Sequence, residues 1–225
     1  MERLSLVIFD MDGLMFDTER LAIWAWKKAG EDFGYKITCD MIVEVTGLDA
    51  RNVELYFKRR FGDSFPFFEI RRRELEYFSE HIKKNGVPVK EGLYDLLNVL
   101  KENSILKAVA TSTYRKWAEE CLSLAKVKDL FDLIVCGNDV DKGKPEPDIF
   151  LKVAKELNCL PGECIVLEDS ENGLRAASRA KMRAICVPDL KMPSKEVQNL
   201  IYKQFNSLIE VKIFLEEQLK NSRTH

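Results

Sequence analysis

The sequence predicts an open α/β fold: a parallel sheet with helices on both faces and a helical domain inserted into it. Two observations predict the sheet, namely five short apolar runs typical of buried strands and helix-like stretches between them. A third predicts the insertion, because residues 16–90 show amphipathic helical patterns without a comparable apolar run. With 225 residues, 46% of them hydrophobic, the chain is long enough for a core of this size.

The apolar runs and the helical stretches follow one another along the chain. The predicted strands are residues 4–9, 106–111, 133–137, 164–168 and 183–188. The predicted helices of the sheet domain are residues 113–125, 147–158 and 170–180, and the last thirty residues are expected to form closing helices. The inserted domain has helical patterns at residues 18–33, 51–61 and 66–84. We therefore expect residues 1–15 and 91–225 to form the α/β domain and residues 16–90 to form the helical domain.

Composition excludes several classes of protein. The 35 Lys and Arg residues are balanced by 37 Asp and Glu residues, so no basic field is available for a nucleic acid. No apolar run approaches the roughly 18 residues that cross a bilayer, and the two histidines cannot form an HExxH zinc site. The six cysteines are scattered without CxxC spacing, which favours reduced thiols. We expect a cytoplasmic protein with no nucleic-acid or membrane partner, and a monomer.

Acidic residues follow two of the predicted strands. Asp10 and Asp12 follow the first strand, and Glu168 and Asp169 come at the end of the fourth. A polar surface turn at the first pair and a helix N-cap at the second are the alternative interpretations. Because the carboxyl ends of parallel strands meet at one edge of the sheet, we expect these side chains to lie together. Their oxygens suit Mg²⁺.

Hydroxyl and ammonium groups accompany these acids. Thr111 and Ser112 end the second strand, where they can bind a phosphate or cap the next helix. Lys144 lies beside Pro145, and its alternative role is that of a solvated turn residue. A metal site combined with phosphate ligands indicates phosphoryl transfer, in which a carboxylate can be the nucleophile. The spacing from Gly137 to Lys144 does not match a P-loop.

Four motifs together resemble the haloacid dehalogenase-like hydrolases, in the branch with a helical cap that includes sugar-phosphate phosphatases and β-phosphoglucomutase. The resemblance covers nearly the whole chain and implies a doubly wound, Rossmann-like parallel-sheet core with an inserted α-helical cap domain. It also implies a small phosphorylated substrate. The motifs are FDMDG (9–13), AVATST (108–113), GKPEPDIF (143–150) and VLEDSENG (166–173).

The resemblance implies a role for each matching residue. Asp10 is the expected nucleophile and Asp12 the expected general acid and base. Thr111 is expected to bind the transferring phosphoryl group, with Ser112 beside it as a further candidate phosphate ligand, and Lys144 is expected to neutralise the group. The chain is thus expected to be a phosphoric monoester hydrolase.

The same resemblance implies Mg²⁺ as the cofactor. Asp10 and Asp169, with help from Glu168, are the expected metal ligands, and Asp12 is expected to contribute its backbone carbonyl.

The inserted domain leaves the substrate open. A phosphatase acting on a sugar phosphate is one interpretation and a β-phosphoglucomutase-like mutase is another; a non-catalytic domain that binds a phosphorylated ligand is a third. Ala22 stands where the mutase has a cap histidine, and Arg51 lies one position late for the expected arginine, after Gly47, so both favour the phosphatase. The run Arg71–Arg73 is either a substrate contact or, as we expect, a solvated helix face.

Overall fold

The computed structural model describes residues 4–46, 48 and 50–223. Of the residues weighed for the substrate, Gly47 lies outside this range. The chain divides into two compact units. We call Met1–Asp17 with Val89–His225 the sheet unit, and Thr18–Pro88 the helical unit.

The sheet unit contains one parallel sheet of six described strands in the order β3-β2-β1-β4-β5-β6. The strands are β1 (Leu6–Phe9), β2 (Leu106–Ala110), β3 (Leu133–Val135), β4 (Cys164–Glu168), β5 (Arg183–Cys186) and β6 (Lys203–Gln204). The sequence predicted the first five. It missed β6 because this two-residue edge strand is exposed and has no apolar run.

Helices cover both faces of the sheet, as predicted. In the sheet unit they are α5 (Leu93–Glu102), α6 (Arg115–Leu124), α7 (Asp148–Glu156), α8 (Glu171–Arg179), α9 (Lys195–Gln198) and α10 (Leu208–Arg223). Helix α5 was not predicted, and its apolar residues pack against the sheet and α10. The fold class is the doubly wound parallel sheet that the sequence predicted.

The central strand β1 determines where ligands can reach this sheet. All four of its residues are buried, as expected for an apolar strand covered on both faces. It pairs with β2 on one side and with β4 on the other, in register Phe9 to Val109 and Phe9 to Leu167. The chain runs outward through β2 and β3 and then returns to β4. The order of strands therefore reverses at β1, and ligands of open α/β sheets bind at such a switch point.

Two chain segments connect the sheet unit to the insertion, and they run side by side. Phe16 and Val89 form an antiparallel bridge, and the backbone N–H of Lys90 donates to the carbonyl of Met15 at 2.9 Å. The Lys90 ammonium also lies 3.4 Å from Asp17 Oδ1. The start and the end of the insertion are thus fixed to each other.

The described residues of the helical unit form four helices around an aromatic core. They are α1 (Thr18–Asp32), α2 (Cys39–Val45), α3 (Ala50–Phe61) and α4 (Phe67–Asn85), of which α2 was not predicted because it has only seven residues. Phe57 is fully buried, with ring-centroid distances of 5.2 Å to Trp26 and 5.3 Å to Phe65. Aromatic stacking of this kind holds the helices together.

One carboxylate is buried in this unit and is paired with an arginine at the surface. The Glu74 side chain is 2% exposed, and Arg71 Nη1 donates to its Oε2 at 2.5 Å. The Arg71 guanidinium also lies over the ring of Trp26, 5.4 Å from its centroid. Arg72, by contrast, is 77% exposed. Arg71 itself is 44% exposed and Arg73 is 37% exposed, so the run lies on a solvated helix face as expected, with Arg71 and Arg73 also paired to carboxylates.

Among the described residues, no helix is both long and apolar enough to cross a membrane.

The buried Glu74 predicts a pH-dependent stability. Burial raises the pKa of its carboxyl from 4.5 to about 7, and Arg71 opposes the rise only in part. Between these values the native state binds more protons than the unfolded chain, so the free energy of unfolding falls as the pH rises. Relative to Glu74→Gln, the wild type should lose up to about 3 kcal/mol between pH 4.5 and 7.5. Urea unfolding at several pH values measures this.

The control for Glu74→Gln is Glu80→Gln, which removes an exposed carboxylate from the same helix. It should give the wild-type dependence on pH. Parallel stability curves for the wild type and Glu74→Gln would contradict the prediction.

Candidate active site

Three of the predicted site residues lie at the carboxyl ends of adjacent strands. Asp10 directly follows β1, Thr111 directly follows β2, and Glu168 is the last residue of β4. The backbone continues the pairing at this edge, because Asp10 N–H donates to the Leu167 carbonyl at 3.0 Å. All three side chains belong to buried residues. The parallel sheet therefore brings Asp10 together with two residues that lie more than 100 positions further along the chain.

Lys144 joins two of these groups. Its Nζ donates to Asp10 Oδ1 and to Glu168 Oε1, both at 2.5 Å, and to the carbonyl oxygen of Ala110 at 2.8 Å. The Lys144 side chain is 4% exposed and is followed by a cis peptide bond to Pro145. The alternative of a solvated lysine is thus wrong, and the ammonium lies between two carboxylates.

Burial and neighbouring charges shift the pKa values of both Asp10 and Lys144. Burial, together with the charges of Glu168 and Asp12, raises the pKa of the Asp10 carboxyl to about 8, and Lys144 opposes the rise only in part. Burial lowers the pKa of the Lys144 ammonium, but Asp10 and Glu168 outweigh it, so the net change is a rise. Lys144 accordingly stays charged, and a cation bound beside Asp10 would add to its effect in favouring the ionised form of Asp10.

The carboxylates form a group that suits a divalent cation. One oxygen from each of Asp10, Glu168 and Asp169 lies within 4.8 Å of the others. Three carboxylates facing one ammonium leave an excess of negative charge at a poorly solvated place, and a bound cation would remove that excess. Oxygen ligands of this kind are those that Mg²⁺ prefers. The residues present therefore fit the predicted metal.

Two glycines make room for these carboxylates. Gly13 has a φ of +84°, and a Cβ built on it would overlap the carboxylate of Asp169. A Cβ on Gly173, in the first turn of α8, would overlap the carboxylate of Glu168. Glu168 Oε2 also accepts a hydrogen bond from the Ser170 hydroxyl at 2.9 Å, and Ser170 is the N-cap of α8. The carboxylate of Glu168 is thus enclosed on several sides.

Asp12 lies apart from this group of carboxylate oxygens. Its Oδ2 accepts a hydrogen bond of 2.7 Å from Thr113 Oγ1. Thr113 N–H in turn donates to Thr111 Oγ1 at 3.0 Å, so Thr111 keeps its own hydroxyl proton to donate to a ligand. Ser112 lies on the same loop with an exposed side chain. Thr113 was not among the predicted site residues, although it lies within the second motif.

Comparison with known proteins finds a hydrolase family and phosphatases among the relatives. A family model described as haloacid dehalogenase-like hydrolase matches residues 7–187. A phosphorylated carbohydrates phosphatase of Thermotoga maritima is 35% identical over 186 residues, which cover 81% of this chain and 84% of the relative. Hexitol phosphatase B of Escherichia coli is 28% identical over 80% of this chain and 82% of its own length.

A solved structure supports the same relationship. The crystal structure of a candidate β-phosphoglucomutase from Thermotoga maritima superposes with a TM-score of 0.81 at 28% identity, covering 95% of this chain and 99% of that one.

The enclosure of Glu168 predicts that Gly173→Ala weakens metal binding. The new Cβ must displace the Glu168 carboxylate, which is held by Lys144 and Ser170. We expect Mg²⁺ affinity, measured by isothermal titration calorimetry, to fall at least about tenfold, which is about 1.4 kcal/mol. Thermal stability should fall as well, because displacing a buried, ion-paired carboxylate costs more than the about 1 kcal/mol by which alanine favours a helix over glycine.

The exposed neighbour Asn172 provides the control, because Asn172→Ala changes the same turn of α8 without meeting Glu168. Equal Mg²⁺ affinities for Gly173→Ala and Asn172→Ala would contradict a metal role for Glu168.

Proposed function

Because the chain belongs to the haloacid dehalogenase-like hydrolases and is a phosphoric monoester hydrolase, we propose that it is a Mg²⁺-dependent phosphatase that forms an aspartyl-phosphate on Asp10. Its proposed substrate is a small phosphorylated metabolite, and specifically a sugar phosphate. One observation carries the proposal: the Lys144 ammonium contacts both Asp10 and Glu168, so a nucleophile, a cation and a metal ligand meet at one point.

Asp10 performs the first chemical step. One oxygen of its carboxylate attacks the phosphorus of the monoester, forming the bond from phosphorus to Asp10 while the bond to the leaving oxygen breaks. The Lys144 ammonium and the Thr111 hydroxyl stabilise the charge on the phosphoryl oxygens. Both groups are in place beforehand, since Lys144 is bonded to Asp10 and Thr111 is 1% exposed at the end of β2. Preorganised groups of this kind need little rearrangement as the reaction proceeds.

Asp12 moves the protons. It donates one to the oxygen of the leaving alcohol, and then accepts one from the water that attacks the aspartyl-phosphate. The second attack breaks the bond between phosphorus and Asp10, so that inorganic phosphate leaves and both carboxyl groups return to their starting states. Its distinct position, bonded to Thr113 rather than grouped with the metal-binding carboxylates, supports this separate role.

Asp10, Glu168 and Asp169 would hold Mg²⁺, with the backbone carbonyl of Asp12 as a further ligand. The ion would offset the negative charge of the phosphoryl group and of the carboxylates themselves. The close approach of three carboxylates supports this assignment.

The names of the relatives support the substrate class. One is named a phosphorylated carbohydrates phosphatase and another a hexitol phosphatase. A β-phosphoglucomutase-like activity is the second candidate, favoured by the similarity to the Thermotoga maritima structure. A mutase must keep water away from its aspartyl-phosphate, whereas a phosphatase must admit it. Ala22 in place of the cap histidine favours hydrolysis.

Asp10→Asn should abolish phosphate release. The carboxamide cannot form the acyl-phosphate, so the rate should fall by several orders of magnitude while the fold remains. Steady-state phosphate release measures this, and mass spectrometry of the acid-quenched wild type should find phosphate on Asp10. Asp141→Asn, which removes an exposed carboxylate, is the control. A variant with more than about a tenth of wild-type turnover would exclude Asp10 as the nucleophile.

A paired assay separates hydrolysis from isomerisation. We expect inorganic phosphate from hexose 6-phosphates or similar monoesters with Mg²⁺ present, no release in EDTA, and no need for a bisphosphate activator. The second arm measures conversion of β-glucose 1-phosphate to glucose 6-phosphate with catalytic bisphosphate. Isomerisation faster than hydrolysis by about tenfold, or roughly 1.4 kcal/mol in barrier, would establish the mutase instead.

A further inference from the structure

Thr113 connects the loop after β2 to the carboxylate of Asp12. Its Oγ1 donates to Asp12 Oδ2 at 2.7 Å, a short hydrogen bond to a carboxylate between residues 101 positions apart. Thr113 is half-buried, so water competes with this bond only in part. An aspartate side chain can rotate about two bonds, and the Thr113 hydroxyl restricts that rotation because it holds one of the carboxylate oxygens.

The backbone of Thr113 is itself held from two directions. Its N–H donates to Thr111 Oγ1 at 3.0 Å, and its carbonyl accepts from Gly137 N–H at 3.1 Å. Gly137 packs so closely on this loop that a Cβ there would overlap the carbonyl oxygen of Ser112. The hydroxyl that faces Asp12 therefore projects from a fixed piece of backbone.

Asp12 is held at its backbone as well. The turn that follows it is closed by hydrogen bonds from Gly13 N–H to the Phe16 carbonyl at 2.9 Å and from Met15 N–H to the Met11 carbonyl at 2.9 Å. With the main chain fixed on both sides, the bond between Thr113 and Asp12 restricts the directions in which the carboxylate can point.

We propose that Thr113 is a positioning residue that orients the Asp12 carboxylate for proton transfer to the leaving oxygen and from water. The inference rests on the proposed function, in which Asp12 is the general acid and base. A hydroxyl donor suits both states of Asp12, because Oδ2 accepts the hydrogen bond whether the carboxyl is ionised or carries its proton on the other oxygen. Thr113 therefore keeps the same contact throughout the reaction.

The test uses Thr113→Val, which preserves the shape of the side chain without its hydroxyl, and Thr113→Ser, which keeps the hydroxyl. On the best sugar phosphate found for the wild type, Thr113→Val should lower kcat by about 10- to 100-fold, within the range for general acid and base catalysis. Its KM should stay within about twofold. Thr113→Ser should return kcat to within about threefold of the wild type.

A second measurement separates proton transfer from substrate binding. With p-nitrophenyl phosphate, the leaving phenolate needs no proton, so the burst of product in the first turnover should be unchanged in Thr113→Val. Asp12→Asn should show the same selectivity between the two esters, with a larger loss on the sugar phosphate. If Thr113→Val unfolds at a lower temperature, Thr113→Ala provides a second variant without the hydroxyl.

The outcomes are distinguishable. A rise in KM at unchanged kcat in Thr113→Val would make Thr113 a substrate ligand and overturn the inference, as would wild-type turnover in that variant. If the wild type releases no phosphate from any monoester, or Asp12→Asn retains full turnover, the proposed function fails instead. Loss of kcat in Thr113→Val with rescue in Thr113→Ser supports the inference.

Discussion

The contact of the Lys144 ammonium with two buried carboxylates is the constraint on which the rest of the site depends. A buried lysine without partners would lose its charge or move toward water, and a buried carboxylate left alone costs several kcal/mol. Asp10, Lys144 and Glu168 come from three distant parts of the chain. The contact is possible only because β1 and β4 are adjacent and in register. The pairing of the three charges therefore depends on the order of the strands in the sheet.

The same edge of the sheet places two aspartates of one motif in different surroundings. Asp10 faces the ammonium and the other carboxylates, where the environment suits attack on phosphorus. Asp12, two residues on, turns instead to the hydroxyl of Thr113. Two aspartates of the same motif thus have different partners, which supports the different roles proposed for them.

The sequence predicted most of this arrangement because the signals were local. Buried strands read as apolar runs, and the residues after each strand end must share an edge of a parallel sheet. The exposed strand β6 and the short helix α2 carried no such signal. The partner of Asp12 was missed for a different reason. A threonine in a loop is ordinary in sequence, and only the fold of that loop brings Thr113 to a carboxylate 101 positions away.

The bridge between Phe16 and Val89 affects which sequence changes the chain can tolerate during evolution. The chain leaves the sheet unit and returns to it at neighbouring positions, as it would if a short hairpin stood in place of the insertion. Lengthening a loop costs little entropy, about 0.6 kcal/mol for each doubling, and a pinned base shields the neighbouring strands from it. Substitutions, additions or deletions within the insertion can therefore accumulate without shifting the register of β1. The residues proposed for the chemistry can therefore keep their places while the insertion changes.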